Sequence, residues 1–343
     1  MKRIDLRSDT ATIPSEEMME AMRTASFGDD LLGENATVIE LERLAATLLG
    51  KEAAMLVISG SMANQIAVMV LAERGQEVIL GKESHLFNLE VAGLAALSQV
   101  QARPVSVVNG HYRIDEMEES IKQGGIQAAE TGLISLENTY NLNEGAVVTL
   151  ENMVEIKELA DDYRIPVYLD GARLFNAAAY LDVHPADICQ TVDAVQFCLT
   201  KGLGCPLGSL LVGSKSFIQK AKRIRQRLGG GMRQAGMIAA PGIIGLTQIE
   251  YRMRRDNQLA TNLFKGLRHL HGIRPTAESF QTNIVSIEVV KDGWDADRLI
   301  AQLQNAQIFV KKIGRKQVRM VMHSDVSNDD IETVIRNFQE VLK

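Results

Sequence analysis

Three cysteines in 343 residues, at 189, 198 and 205, are too few for a disulfide framework. Their C-x8-C-x6-C spacing, with no clustered histidines, matches no zinc pattern, so they are expected as reduced core residues and no metal is expected. No long basic block is present and the formal net charge is -6, which argues against a nucleic-acid groove. No stretch reaches membrane-spanning length. The start, MKRIDLRSDTATIP, lacks the apolar core of a signal peptide, so a cytoplasmic protein without membrane contact is expected. Internal repeats and low-complexity tracts are absent as well. A nicotinamide fingerprint is missing too: Gly202, Gly204 and Gly208 give G-x-G-x-x-x-G, followed by a strand pattern rather than a helix.

What is present is apolar bulk. At 46% hydrophobic, the chain is long enough to bury a large core and to divide into two domains. TVIELERLAATLL (37–49) has a helical face, with Thr37 and Glu40 offering a capping box and Gly50 a stop. Short apolar runs then alternate with helical patterns: AAMLVI (53–58), EVILG (77–81), GLISLENT (132–139), IPVYLDG (165–171) and DAVQFCLT (193–200). Runs apolar on both faces suit inner strands of a mostly parallel α/β sheet covered by helices. LGSLLVG (207–213) follows too soon for a crossover helix and is expected antiparallel. Residues 1–250, N-terminal arm included, read as a large domain. Residues 251–343 read as a smaller α+β domain whose last helix is capped by Ser327 with Asp330.

In open α/β sheets ligands bind at the carboxyl ends of the strands. Lys201 directly follows VQFCLT, at such an end. Burial disfavours the ammonium form, and a neutral amine can form a Schiff base with a carbonyl. An exposed lysine in a turn would look the same. Asp170 ends IPVYL and could be a simple helix cap. Together, however, a lysine and an aspartate at two strand ends match what pyridoxal phosphate (PLP) requires: an amine for the aldehyde and a carboxylate for the pyridinium nitrogen. SGSMANQ (59–65) opens a helix after a strand, where small residues let backbone approach a phosphate, although an ordinary Ser-capped helix has the same pattern.

Essentially end to end, the chain resembles the PLP-dependent threonine aldolases of the aspartate aminotransferase-like fold (fold type I). IDLRSDT (4–10), SGSMANQ (59–65), SHLFNLEVAG (84–93), LENTYN (136–141), LDGARLFNA (169–177), FCLTKGLGCPLGS (197–209), LGGGMRQAG (228–236) and VRMVMHSDV (318–326) carry the resemblance. It implies that Lys201 carries PLP as a Schiff base, that Asp170 pairs with the ring nitrogen and that His85 stacks on the ring and relays protons as a catalytic residue. Gly60 and Ser61 would cradle the phosphate, and Ser8, Arg173 and Arg319 would hold the substrate carboxylate. Arg233 would reach the cofactor from a neighbouring subunit, implying a homodimer or dimer of dimers with shared sites.

The implied reaction is retro-aldol cleavage of a β-hydroxy-α-amino acid, such as L-threonine or L-allo-threonine, to glycine and an aldehyde. Departures fall close to this chemistry. Tyr140 stands where the family has a histidine that contacts the β-hydroxyl. Its phenol is expected to hydrogen-bond that hydroxyl as a catalytic residue, though with an ordinary pKa of about 10 it is a poorer base. Leu32, Asn88 and Leu89 replace residues that are often aromatic. The same cofactor could then serve β-elimination, racemisation, transamination or a bulkier substrate.

Overall fold

The computed structural model describes residues 2–343. The apolar runs assemble into one large sheet because they are covered on both faces. Glu77–Gly81, Ala194–Cys198 and Ser209–Gly213 are buried along their whole length. The order across the sheet is Ala53–Val57, Ser209–Gly213, Ala194–Cys198, Val167–Asp170, Ala128–Glu137, Glu77–Gly81, Gln101–Val105, with Gln123–Gly125 paired to Ala128–Glu137 as an eighth strand. Along the main path only Ser209–Gly213 runs antiparallel to its neighbours, as its closeness in sequence to Ala194–Cys198 demands. Glu137 and Gln196 both lie level with Asp170, so three strands carry a polar side chain at one height.

The expected helix over 37–49 is Ala36–Leu48, but its cap is Asn35, whose Oδ1 accepts the Val38 N–H. Thr37 lies inside the first turn and pairs with Ser26, so the Thr37–Glu40 box does not form. At the C-terminus the Ser327–Asp330 box does form, on helix Asn328–Leu342. All three cysteines are free and buried. Among the described residues no helix is long and apolar enough to cross a membrane.

A second, four-stranded antiparallel sheet is built from Ile273–Pro275, Ile284–Val289, Gln317–Val321 and Lys311–Lys312. Ile4 and Leu6 belong to its core rather than to the large one, and Ile4–Asp5 pairs in parallel with Ile308–Phe309. Ile4 and Leu6 thus pack with the C-terminal residues, while Met18 packs in the large core. Helix Ile249–Leu267 joins the two units, with Met253 in the large core and Leu259, Leu263 and Leu267 in the small one. Its arginines fasten both sides: Arg252 donates to the Leu203 carbonyl, just past Lys201, and Arg255 donates to the Val326 carbonyl.

Asp256 on the same helix is fully buried, and neither carboxylate oxygen has a hydrogen-bond partner. Arg255 is 3.7 Å away. Burial pushes the Asp256 carboxyl up to about 7, with Asp9 and Asp325 adding to the shift and Arg255 and Arg252 opposing it. A carboxyl raised in the folded state stabilises the fold while protonated, and that contribution is lost as pH rises through the folded value. Asp256→Asn keeps the shape without the charge. Thermal melts across pH should therefore show the variant several degrees more stable than wild type above about pH 8, the two curves converging in acid.

Candidate active site

Five strands of the large sheet end at one crevice. Val57 leads to Gly60 and Ser61, Gly81 to His85, Glu137 to Thr139 and Asn141, Asp170 to Arg173, and Cys198 to Lys201. Ser8, Thr10, Lys311 and Arg319 close the other side of a 260 Å3 cavity. Lys201, Asp170, His85, Gly60, Ser61, Ser8, Arg173 and Arg319, all singled out in the sequence, line this cavity.

Asp170 is not a helix cap, because helix Leu174–Leu181 begins beyond it with Arg173 at the cap position. Its Oδ1 accepts from Gln196 Nε2 at 2.6 Å and from the Ala172 N–H, and its Oδ2 accepts from Asn64 Nδ2 at 2.7 Å. The Tyr168 hydroxyl donates to Asn64 Oδ1 and so sets that amide's orientation. Every one of these donors is neutral. Among the described residues no lysine or arginine pairs with Asp170, so its charge is left for a cation in the cavity.

Glu90, also buried, accepts from Asn64 Nδ2 and Gln65 Nε2 and lies 2.9 Å from His85 Nδ1. This contact holds the imidazole by Nδ1 and leaves Nε2 for the cavity. Burial works against the imidazolium, but Glu90, Asp170 and Glu137 outweigh it and raise the His85 pKa.

Glu137 is fully buried and joins two parts of the site. Its Oε2 accepts the His85 backbone N–H at 2.6 Å and its Oε1 accepts the Asn141 N–H at 2.8 Å. A carboxylate has two acceptor oxygens and no donor, which is what two converging N–H groups require. Burial and the neighbouring Asp170 push its pKa up to about 7, against the pull of those two N–H groups.

At the far end, Arg173 makes a two-pronged ion pair with Asp9, Nε to Oδ2 at 2.6 Å and Nη2 to Oδ1 at 2.8 Å. Arg173 and Arg319 each donate through Nη1 to one oxygen, Asn141 Oδ1, at 3.1 Å. Arg319 Nε is buried without a partner. Burial and then Arg173 lower the Arg319 pKa to about 10. Two guanidiniums converging on a single neutral oxygen form a ready site for a carboxylate.

The beta-eliminating lyase family model matches residues 5–289. The low specificity L-threonine aldolase of Escherichia coli K12 is 37% identical over 340 residues, covering 99% of each chain. Low-specificity L-threonine aldolase 1 of Arabidopsis thaliana is 36% identical, covering 100% of this chain and 97% of that one. The chain belongs to this family of lyases. The solved structure of the Leishmania major threonine aldolase superimposes with a TM-score of 0.85 at 17% identity, covering 99% of this chain and 100% of that one, and shows the shared fold type I.

The cofactor of this lyase is PLP, and the cavity fits it. Lys201 Nζ has no partner among the described residues, and Asp170 has no cation. Ser59 caps helix Gly60–Leu71 by accepting the Met62 N–H, and no acceptor in the described chain takes the N–H groups of Gly60 and Ser61. A Cβ at Gly60 would stand 2.8 Å from Cys198 Sγ, so the backbone there must stay bare. A phosphate at this helix start meets free N–H groups and the positive end of the helix dipole.

Two of the residues named from the family pattern lie elsewhere. Tyr140 does not line the cavity. Its ring packs edge-on against Tyr112, 6.3 Å between centroids, and its hydroxyl is buried without a partner. A Cβ at Gly81 would come within 2.0 Å of that hydroxyl, so the phenol occupies space that only glycine leaves. Burial, with Glu137 and Glu83 nearby, raises the Tyr140 pKa far above the ordinary phenol value. The expectation that Tyr140 meets the β-hydroxyl is therefore corrected: the phenol points away from the cavity. Arg233 is on the surface, 2.7 Å from Asp29. Leu32 is exposed and Asn88 bonds locally to the Lys82 and Ser84 carbonyls, whereas Leu89 does line the cavity.

Sequence reading missed Asp9, Asn64, Glu90, Glu137, Asn141, Gln196 and Lys311. Gln196 left a usable signal, a polar residue inside the apolar run AVQFC. Glu137 and Lys311 lie in strands, at a strand end and on an exposed two-residue strand, Asn64 lies in a helix, and the rest lie in short turns, all places where polar residues are ordinary.

Glu137→Gln would turn an amide NH2 toward one of the two backbone N–H groups. Losing one buried acceptor costs roughly 1–3 kcal/mol, so kcat/KM for a β-hydroxy amino acid should fall about tenfold or more. As pH falls through about 7, wild-type Glu137 gains a proton and loses one tether in the same way. The acid-side decline of kcat/KM attributable to it should be missing from the variant's pH profile.

Proposed function

We propose that the protein cleaves β-hydroxy-α-amino acids, among them L-threonine and L-allo-threonine, to glycine and an aldehyde. The observation that carries this reading is one cavity joining Lys201 and Asp170 to the two-arginine site. PLP, when bound, supplies the electron sink for the pair left on Cα as the Cα–Cβ bond breaks.

The chain's own residues do the rest. Arg173 and Arg319 take the substrate carboxylate between them, displacing or adding to the Asn141 oxygen, and so fix which bond at Cα is set to break. Asp170 keeps a proton on the ring nitrogen. His85 removes the β-hydroxyl proton through Nε2, and Glu90 stabilises the imidazolium that results. Glu137 acts through His85 and Asn141 as a positioning residue.

The working unit we propose is a homodimer or dimer of dimers in the cytoplasm. In support, Phe27, Leu32 and Met237 are exposed on segments that pack on each other: the Asp30 N–H donates to the Arg233 carbonyl and the Gly28 N–H to Gln234 Oε1. An apolar face beside Arg233 suits a subunit interface that would bring this arginine to a partner's site.

The test is aldehyde release from PLP-loaded protein offered L-threonine, L-allo-threonine, their D-enantiomers and β-phenylserine, with pyruvate assayed in parallel. Aldehyde from an L-substrate supports the reading; pyruvate without aldehyde would replace it with elimination chemistry. Lys201→Ala should lose both the cofactor's visible absorption band and turnover. Tyr140→Phe should keep kcat/KM for L-threonine within about twofold, since a hydroxyl outside the cavity contributes nothing to the barrier. A large loss in that variant would return Tyr140 to the chemistry.

A further inference from the structure

The carboxylate end of the cavity holds more positive charge than one carboxylate needs. Arg173 is matched by Asp9, but Arg319 has only the neutral oxygen of Asn141. Lys311 adds a third cation to the same cavity wall. It lies directly opposite Arg319 in the antiparallel pair, so the two side chains leave the sheet on one face with Cβ atoms roughly 4.5–5.5 Å apart. Like charges so placed repel. Burial, then Arg319 and Arg173, lowers the Lys311 pKa.

The next residue on the strand provides the contrast. Lys312 points to the opposite face, as alternation requires, and is paired with Asp297. Lys311 makes no ion pair or hydrogen bond among the described residues. Of Arg173, Arg319 and Lys311 only Arg173 has a carboxylate partner among the described residues, Asp9, and an α-carboxylate at the arginines would leave Lys311 without one.

We propose that Lys311 is a specificity residue that receives a second anionic group on the substrate side chain, so that the site favours β-hydroxy-α-amino acids bearing a side-chain carboxylate, such as 3-hydroxyaspartate. The proposal rests on the retro-aldol reading given above. In that step the β-hydroxyl loses its proton and its oxygen becomes a carbonyl. The Cα–Cβ bond breaks, and Cα takes a proton. 3-Hydroxyaspartate gives glycine and glyoxylate, with no oxidant or reductant required.

The experiment compares the PLP-loaded wild type with Lys311→Met, which keeps an unbranched side chain one atom shorter and removes the charge. Glyoxylate release from 3-hydroxyaspartate and acetaldehyde release from L-threonine give a ratio of kcat/KM values. Binding without cleavage is read from the cofactor's visible band, titrated with L-aspartate and with L-alanine. Wild type should prefer the dicarboxylic member of each pair. Lys311→Met should lower both preferences about fivefold, the scale of one solvent-accessible ion pair. Wild type without such a preference, or a variant with unchanged ratios, overturns the proposal. If no substrate yields an aldehyde, the aldolase reading fails by itself, and the aspartate-to-alanine binding ratio still decides the role of Lys311.

Discussion

Three carboxylates, Glu90, Glu137 and Asp170, are buried around one imidazole at the carboxyl edge of the large sheet, and the rest of the site is arranged to tolerate them. Removing an ion from water costs several kcal/mol even after relaxation, and here no lysine or arginine among the described residues forms an ion pair with any of the three. Neutral donors do so instead. Asn64 serves both Glu90 and Asp170, while Gln65, Gln196 and the backbone N–H groups of His85, Asn141 and Ala172 fill most of the remaining acceptor positions. This explains amide side chains at places where packing alone would favour leucine or valine. The negative potential that remains is directed at the cavity, where a protonated ring nitrogen and an imidazolium have to be stable.

The other end of the cavity has the opposite sign and a different origin. Arg319 comes from the smaller sheet, and Asp9 from an N-terminal arm fastened to that same unit by the pairing of Ile4–Asp5 with Ile308–Phe309. Arg173 comes from the large unit, so the Asp9–Arg173 ion pair crosses between the two. A substrate carboxylate placed at the Asn141 oxygen would touch both units at once. The cavity is therefore polarised along its length, with acids from the large sheet at the cofactor end and cations at the carboxylate end. An amino acid bound by its carboxylate has one orientation available in such a field.

Most of the sheet, and the lysine and aspartate at its edge, were legible in the sequence because two-sided burial leaves unbroken apolar runs whose ends mark where ligands bind. Caps were less legible. Thr37 and Asn35 both satisfy the local rules for ending a helix, and tertiary contact with Ser26 takes Thr37 out of the competition. Loop residues were the least legible. Tyr140 and Asn141 are neighbours in LENTYN, yet one faces the cavity and the other faces Gly81, a choice made by the backbone path rather than by residue type. Arg233 shows another limit, since a single chain places it on Asp29 at the surface and only a second subunit could give it another partner.

The Tyr140–Gly81 contact shows how one family position is filled in this chain. A phenol at 140 needs bare backbone at 81, because any Cβ there would overlap the hydroxyl. With that space supplied, the ring turns into the core against Tyr112 and takes no part in the cavity. Among the described residues His85 is the one imidazole lining the site. It is bound through Nδ1 to a buried carboxylate that raises its basicity, which is the arrangement that lets a single histidine both accept a proton and keep its orientation while doing so.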